Sequence, residues 1–300
     1  CCRTSKRACS ARAKTISPPR TLGQLLRATE RRLSNAGIGD ARIEADLIWM
    51  TAFEIDRAEL YARSVDVPAG DAQARAEELV QRRLRHEPAA YLMGHREFYG
   101  IDLLVGVGAL IPRPDTETLV EEALRIAAER AGPIAVADVG CGTGAIAIAL
   151  ATRLPDASVY AIDRYAPALE IARRNLERYG LADRVPLLQG DLLAPLPGPV
   201  DLIASNLPYV RSDELPTLDP EVRLYEPREA LDGGEDGLDL IRRLLTDATA
   251  HLQPGGTVLA EMDPRQIASA TAFAASAIPG ARSRAVRDLA NRERVLVVQT

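Results

Sequence analysis

The sequence predicts an α/β protein in which a mostly parallel sheet with an antiparallel edge hairpin follows a small all-α domain. From residue 134 onward, short apolar runs alternate with helical patterns, which is typical of a parallel sheet covered on both faces. Two strand-like runs close the chain near residues 281–286 and 294–298, and they predict the antiparallel edge. Between residues 21 and 87 the apolar residues recur at three- and four-residue spacing, which predicts helices.

Four segments follow from this pattern. Residues 1–20 are predicted to be a disordered tail, since they hold six basic residues and no acid. Residues 21–87 are predicted to be a helical bundle that docks a substrate, because no catalytic constellation occurs there. Residues 88–110 are predicted to be a linker with a hairpin, made of two apolar runs interrupted by Gly94 and Gly100. Residues 111–300 are predicted to form the sheet domain, where Asp115 caps a helix that reaches about Ala131.

Composition restricts the function classes. The chain has 300 residues, of which 47% are hydrophobic, and no apolar run approaches the roughly 18 residues of a membrane span. We therefore expect a soluble protein with no membrane partner. The net charge is −5 although the first twenty residues are basic, and an acidic body is a poor partner for a phosphate backbone. No direct contact with nucleic acid is expected.

Cysteine and histidine usage is uninformative about metals. The four cysteines give no disulfide framework and no paired ligand spacing, and the three histidines are scattered. A reducing, cytoplasmic setting without a metal site is the expectation.

The strands of the sheet domain end at chemistry-bearing residues. They are predicted at residues 134–139, 159–162, 185–188, 200–204 and 257–261, with helices between them. A glycine loop follows the first strand, and glycine lets a backbone approach a ligand closely. This loop could cradle a dinucleotide pyrophosphate or wrap the amino-acid end of S-adenosylmethionine. Its candidate binding residues are Asp138, Gly140, Cys141, Gly142, Thr143 and Gly144.

Carboxylates end the next two strands. Asp163 is placed to accept the ribose hydroxyls of either cofactor, at the end of the second strand. Asp191 follows the third strand and could accept from an adenine amine, which favours S-adenosylmethionine. Three sites at successive strand ends make a purely structural turn improbable as the explanation of the glycine loop.

The fourth strand ends at Asn206-Leu207-Pro208-Tyr209. The Asn206 amide offers one acceptor and two donors, and Tyr209 offers a flat face, so the group suits a planar substrate that carries an NH2. All four residues are candidate catalytic and substrate-binding residues, and Asn206 is also a candidate cofactor contact. The alternative is an Asx turn that only closes the strand.

Taken together, these motifs resemble the Rossmann-like class I S-adenosylmethionine-dependent methyltransferases, and more specifically the protein-(glutamine-N5) methyltransferases of peptide chain release factors. Residues 112–117 read Pro-Arg-Pro-Asp-Thr-Glu as in that family, and residues 91–100 and 226–231 resemble its hairpin and its segment after the fourth strand. The chain departs from the family at Leu207, where a proline is usual, and at Glu261-Met262-Asp263, where a glutamate-isoleucine-glycine run is usual.

The resemblance implies methyl transfer from S-adenosylmethionine to the side-chain amide nitrogen of a glutamine in the Gly-Gly-Gln motif of a release factor. Asn206 and the Leu207 carbonyl would accept the two amide hydrogens, and Tyr209 would pack against the amide plane. A monomer that binds the release factor as its protein partner is expected. The alternatives are glutamine methylation of a ribosomal protein, adenine-N6 methylation of nucleic acid, a catalytically inactive binding module and, last, a dehydrogenase.

Overall fold

The computed structural model describes residues 20–68 and 70–300. They form two compact units, of which the first ends at Leu84 and the second runs from Arg85 to Thr300. The tail predicted for residues 1–20 lies outside the described residues except for Arg20, and the predicted domain boundaries stay predictions. In the described ranges no helix is long and apolar enough to cross a lipid bilayer.

The N-terminal unit is all-α, as predicted. Its helices are α1 (Leu22–Asn35), α2 (Ala41–Phe53), α3 (Arg57–Ala62) and α4 (Gly70–Leu84). Leu22, Leu26 and Leu33 lie on one buried face of α1, because residues three and four apart share a side of a helix. The one tryptophan, Trp49, is buried with them, and its Nε1 donates to Thr29 Oγ1 at 3.0 Å.

The structure corrects the first half of the predicted hairpin linker. The first apolar run is a short helix, α5 (Ala89–Met93), because alanine, leucine and methionine favour helix and Pro88 precedes it. Gly94 ends α5 at φ +79°, and the antiparallel pair comprises only β1 (His95–Phe98) and β2 (Ile101–Leu104).

The predicted capping role of Asp115 is wrong. Residues 114–116 form a 3₁₀ turn, and helix α6 (Glu117–Ala128) begins after it and ends three residues before Ala131. The Asp115 carboxylate instead pairs with Arg294 at 2.9 Å and Arg292 at 3.2 Å, so its acceptor atoms serve ion pairs rather than helix N–H groups.

The second unit contains a seven-stranded sheet of order β5-β4-β3-β6-β7-β9-β8. Its strands are β3 (Ala135–Val139), β4 (Ser158–Asp163), β5 (Leu187–Gln189), β6 (Val200–Ser205), β7 (Leu252–Glu261), β8 (Arg282–Arg287) and β9 (Glu293–Gln299). Strands β3 to β7 pair in parallel, and β9 runs antiparallel to both β7 and β8. The predicted parallel sheet with an antiparallel edge is confirmed.

Helices cover both faces of this sheet. The remaining helices are α7 (Ala145–Arg153), α8 (Ala166–Arg178), α9 (Pro220–Tyr225), α10 (Asp239–His251) and α11 (Ile267–Ala277). One buried cluster joins the sheet to α6, α7 and α8, and the other joins it to α10 and α11. The chain proceeds from β3 outward to β5, then returns to β6 and proceeds the other way. The strand order therefore reverses between β3 and β6, where open α/β sheets bind their ligands.

Candidate active site

The candidate site lies at the carboxyl edge of the sheet, where β3 and β6 end side by side. Val139 pairs with Ser205 as the last residues of these strands, so Gly140 and Asn206 leave the sheet together. This register places the predicted glycine loop beside the predicted catalytic residues.

The glycine loop has the backbone geometry that only glycine adopts without strain. Gly140, Gly142 and Gly144 have φ values of +75°, +55° and +80°. A Cβ on Gly140 would lie 3.0 Å from Leu207 Cδ2, whereas a Cβ on Gly142 would meet nothing within 4 Å. The loop is thus packed closely on the Leu207 side and open at Gly142.

Asp138 lies beneath this loop and does not line the cavity. It is fully buried, and its Oδ2 accepts from the Ala147 N–H at 2.9 Å in the first turn of α7. Its Oδ1 has no hydrogen-bond partner among the described residues. Burial raises the pKa of Asp138 to about 7. The observed contact of this carboxyl is with the start of α7.

Asp163 connects the glycine loop to the end of β4. Its carboxylate accepts from the Gly142 N–H at 3.0 Å and the Tyr165 N–H at 2.9 Å, and the residue is 8% exposed. Burial raises the pKa of Asp163, and these backbone N–H groups oppose that rise. Each carboxylate oxygen keeps a second lone pair, which could accept a ribose hydroxyl.

Asp191 follows β5 and is more exposed than the other acids. Its carboxylate forms an ion pair with Arg243 of α10. It lines the same cavity as Asp163, and its bond to an adenine amine stays a prediction.

The segment after β6 presents two hydrogen-bond acceptors. Asn206 Nδ2 donates to Thr116 Oγ1 at 3.0 Å. No described residue donates to Asn206 Oδ1 or to the Leu207 carbonyl oxygen. Leu207 is buried against the glycine loop, and Pro208 lines the cavity next to it. These two oxygens are available to a group that carries two N–H bonds.

Tyr209 is not among the cavity walls. Its hydroxyl lies 3.5 Å from Glu261 Oε1, and its carbonyl accepts from Gln266 Nε2 at 2.8 Å. Burial, with the nearby Glu261, raises the pKa of Tyr209. The packing of this ring on the substrate amide stays a prediction.

The cavity between these elements has a volume of about 350 Å³, which is in the range of ligand sites. Nine of the predicted site residues line it, and Asp138, Gly144 and Tyr209 do not. The nine are Gly140, Cys141, Gly142, Thr143, Asp163, Asp191, Asn206, Leu207 and Pro208. The carboxylates of Asp163 and Asp191, together with the open space at Gly142, fit an adenosine whose ribose hydroxyls and amine are donors.

The sequence reasoning missed several residues of this site. Arg113 and Thr116 line the cavity, although both belong to the motif at residues 112–117. Buried Glu226 accepts from the Ile111 N–H at 3.2 Å and pairs with Arg113, so it fixes that motif. Burial raises the pKa of Glu226. These residues could have been predicted from their place in the motifs at residues 112–117 and 226–231, which resemble those of the family.

Comparison with known proteins shows the family of the chain. A model of the PrmC N-terminal domain matches residues 24–94, and a model of the methyltransferase small domain matches residues 117–218. A release factor glutamine methyltransferase of Geobacter sulfurreducens is 43% identical over 244 residues, which cover 81% of this chain and 84% of that protein. One of Rhodopirellula baltica is 39% identical over 289 residues, covering 94% and 97%.

A solved methyltransferase of Pyrococcus furiosus is 18% identical, with a TM-score of 0.50 over 76% of this chain and 98% of that one. At that identity it shows a shared fold. The two release factor glutamine methyltransferases, in contrast, match over 81% and 94% of this chain, through both the helical unit and the sheet unit. The predicted family resemblance is thereby confirmed, and the chain belongs to the release factor glutamine methyltransferase family.

Proposed function

We propose that this chain transfers a methyl group from S-adenosylmethionine to the side-chain amide nitrogen of a glutamine in the Gly-Gly-Gln motif of peptide chain release factors. S-adenosylmethionine is the methyl donor of the class to which the chain belongs. The single observation that carries the proposal is Asn206, whose Nδ2 is committed to Thr116 while its Oδ1 has no donor among the described residues.

The arrangement answers the chemical problem of an amide nucleophile. An amide nitrogen is a poor nucleophile, because its lone pair is delocalised into the carbonyl. Asn206 Oδ1 would accept one amide hydrogen and the Leu207 carbonyl the other, which orients the nitrogen and increases its electron density. S-adenosylmethionine supplies the electrophilic methyl group when it is bound.

Asp163 and the glycine loop would hold the methyl donor in this scheme. The Gly142 N–H is already engaged by Asp163, so the loop and the carboxylate form one preorganised unit. Leu207 leaves no room for a Cβ at Gly140 of the same loop, so the donor-binding and acceptor-binding parts of the cavity adjoin. A strong base is unnecessary before transfer, since an alkylated amide nitrogen loses its proton readily.

The experiment is methyl transfer from labelled S-adenosylmethionine to a purified release factor. The matched substrate is the same factor with the glutamine of its Gly-Gly-Gln motif replaced by alanine, and it should take up no label. Asn206→Ala should reduce turnover by about 10²–10³. The control Gln253→Ala removes an exposed amide that does not line the cavity, and it should leave turnover unchanged.

Two outcomes would contradict the proposal. Turnover of Asn206→Ala near the wild-type rate would place the reacting group elsewhere. Label that enters a ribosomal protein or DNA, but not the release factor, would favour one of the two alternative substrates.

A further inference from the structure

The Glu261 carboxyl is buried at the edge of the sheet where Asn206 also lies. Glu261 ends β7, and Ser205 of β6 pairs with Ala260, so Glu261 and Asn206 leave neighbouring strands at the same edge. Glu261 is 1% exposed, and its Oε2 has no hydrogen-bond partner in the described chain. Arg294 is the cation nearby, but it pairs with Asp115 at 2.9 Å. Burying a carboxyl in this state is costly, so a role for it is expected.

The contacts of Glu261 lead to the catalytic segment. The Tyr209 hydroxyl lies 3.5 Å from its Oε1, and Thr116 is close enough to the carboxyl to oppose the rise of its pKa. Thr116 Oγ1 in turn accepts from Asn206 Nδ2 at 3.0 Å. Glu261, Thr116 and the Asn206 amide are therefore neighbouring polar groups at this edge of the sheet.

We propose that Glu261 is a positioning residue, which fixes the orientation of the Asn206 amide through the Thr116 hydroxyl. A hydroxyl has one proton. If Thr116 donates that proton to the carboxylate, it can offer only oxygen lone pairs to Asn206. Asn206 must then turn its NH2 to Thr116 and its Oδ1 to the cavity.

This orientation determines which substrate group the site accepts. A reversed Asn206 would present N–H donors to the NH2 of a glutamine, so two donors would face each other. The same reversed amide would suit a carboxylate, which only accepts. Glu261 thus supports discrimination of glutamine from glutamate, and this inference rests on the proposed function.

The experiment compares three variants of the full chain at pH 8. Burial raises the pKa of Glu261 to about 7, so its carboxyl is ionised at pH 8. Thr116→Val removes the hydroxyl. Glu261→Gln replaces a carboxylate, which can only accept hydrogen bonds, by an amide, which can also donate them. Each should lower kcat about 10- to 100-fold, the usual effect of losing a group that orients a reactive one. Thr116→Ser retains the hydroxyl and should recover most of the rate.

Further readouts separate positioning from a merely structural role. The affinity for S-adenosylmethionine should change less than about two-fold, and the variant with both Thr116→Val and Glu261→Gln should be no slower than Thr116→Val alone. A peptide with glutamate at the target position should gain affinity relative to the glutamine peptide. The matched control is Ser205→Ala, which removes a buried hydroxyl at the same edge that bonds to no described residue, and it should behave as the wild type.

The inference is overturned if Thr116→Val and Glu261→Gln turn over within two-fold of the wild type. It is also overturned if the losses add, if cofactor affinity falls in parallel, or if Thr116→Ser fails to recover the rate. A wild-type chain that does not methylate the release factor refutes the proposed function instead, so the two failures are distinguishable.

Discussion

Replacing Asp163 by asparagine tests the cofactor site most directly. The carboxylate accepts from two backbone N–H groups, those of Gly142 and Tyr165. Asparagine has nearly the same shape but only one acceptor oxygen, so in either orientation its NH2 must face one of these N–H groups. The change therefore disturbs the open part of the glycine loop and removes an acceptor from the cavity.

The magnitude follows from the burial and the charge of this group. A hydrogen bond to a charged group contributes about 1.5–3 kcal/mol, and Asp163 is too buried for solvent to screen it strongly. Together with the loss of an acceptor for the ribose, we expect S-adenosylmethionine binding to weaken by about 2–4 kcal/mol, or about 30- to 1,000-fold in Kd.

Titration calorimetry at pH 8 measures this change. The control Asp156→Asn makes the same change of charge at an exposed residue that does not line the cavity, and its Kd should equal that of the wild type. Thermal unfolding of each variant verifies that the fold is retained. A folded Asp163→Asn variant with wild-type affinity would remove Asp163 from the cofactor site.

Three further substitutions test neighbouring parts of the site. Burial raises the pKa of Asp138 from 3.8 to about 7, so the folded chain binds the proton of this carboxyl more tightly than the unfolded chain does. The free energy of unfolding should therefore fall as the pH rises from about 4 to 7. In urea titrations Asp138→Asn should reduce this dependence on pH and stabilise the chain by about 1–4 kcal/mol at pH 8. If the variant shows the same pH dependence as the wild type, the pKa of Asp138 is not raised. Gly140→Ala should lower the free energy of unfolding by at least about 1–2 kcal/mol, because φ is +75° and the new Cβ would press on Leu207; unchanged urea stability would contradict this. Leu207→Pro should keep kcat within about three-fold in the release-factor assay, since the Leu207 N–H donates to no described group, and complete loss of activity in a folded variant would count against the proposed geometry.

The sequence predicted those candidate site residues that lie where an apolar strand ends. Gly140, Asp163 and Asn206 each end a strand whose hydrophobic pattern is unambiguous, and parallel strands bring their carboxyl ends to one edge of the sheet. The local pattern is therefore enough to place such residues together. No contact between distant segments has to be known.

The failures arose where distant segments decide the outcome. Asp115 has the local features of a helix cap, yet its carboxylate binds Arg292 and Arg294, which come from the end of the chain. The run at residues 89–93 is short and apolar, and such runs do not distinguish strand from helix. Thr116 accepts from Asn206, which lies 90 residues later, and no local pattern predicts that contact.

The buried acidic residues near the carboxyl ends of the strands have different hydrogen-bond partners. Asp138, Asp163 and Glu226 each accept from a backbone N–H group, so each stabilises a loop or a helix start that the fold needs. No backbone N–H in the described residues donates to the Glu261 side chain, whose polar neighbours include the hydroxyls of Tyr209 and Thr116. Since both hydroxyls adjoin or belong to the segment after β6, the burial of Glu261 serves the orientation of that segment. A carboxyl retained for the fold alone would tolerate an apolar residue of similar size, whereas one that orients Asn206 would lose turnover while the protein remained folded.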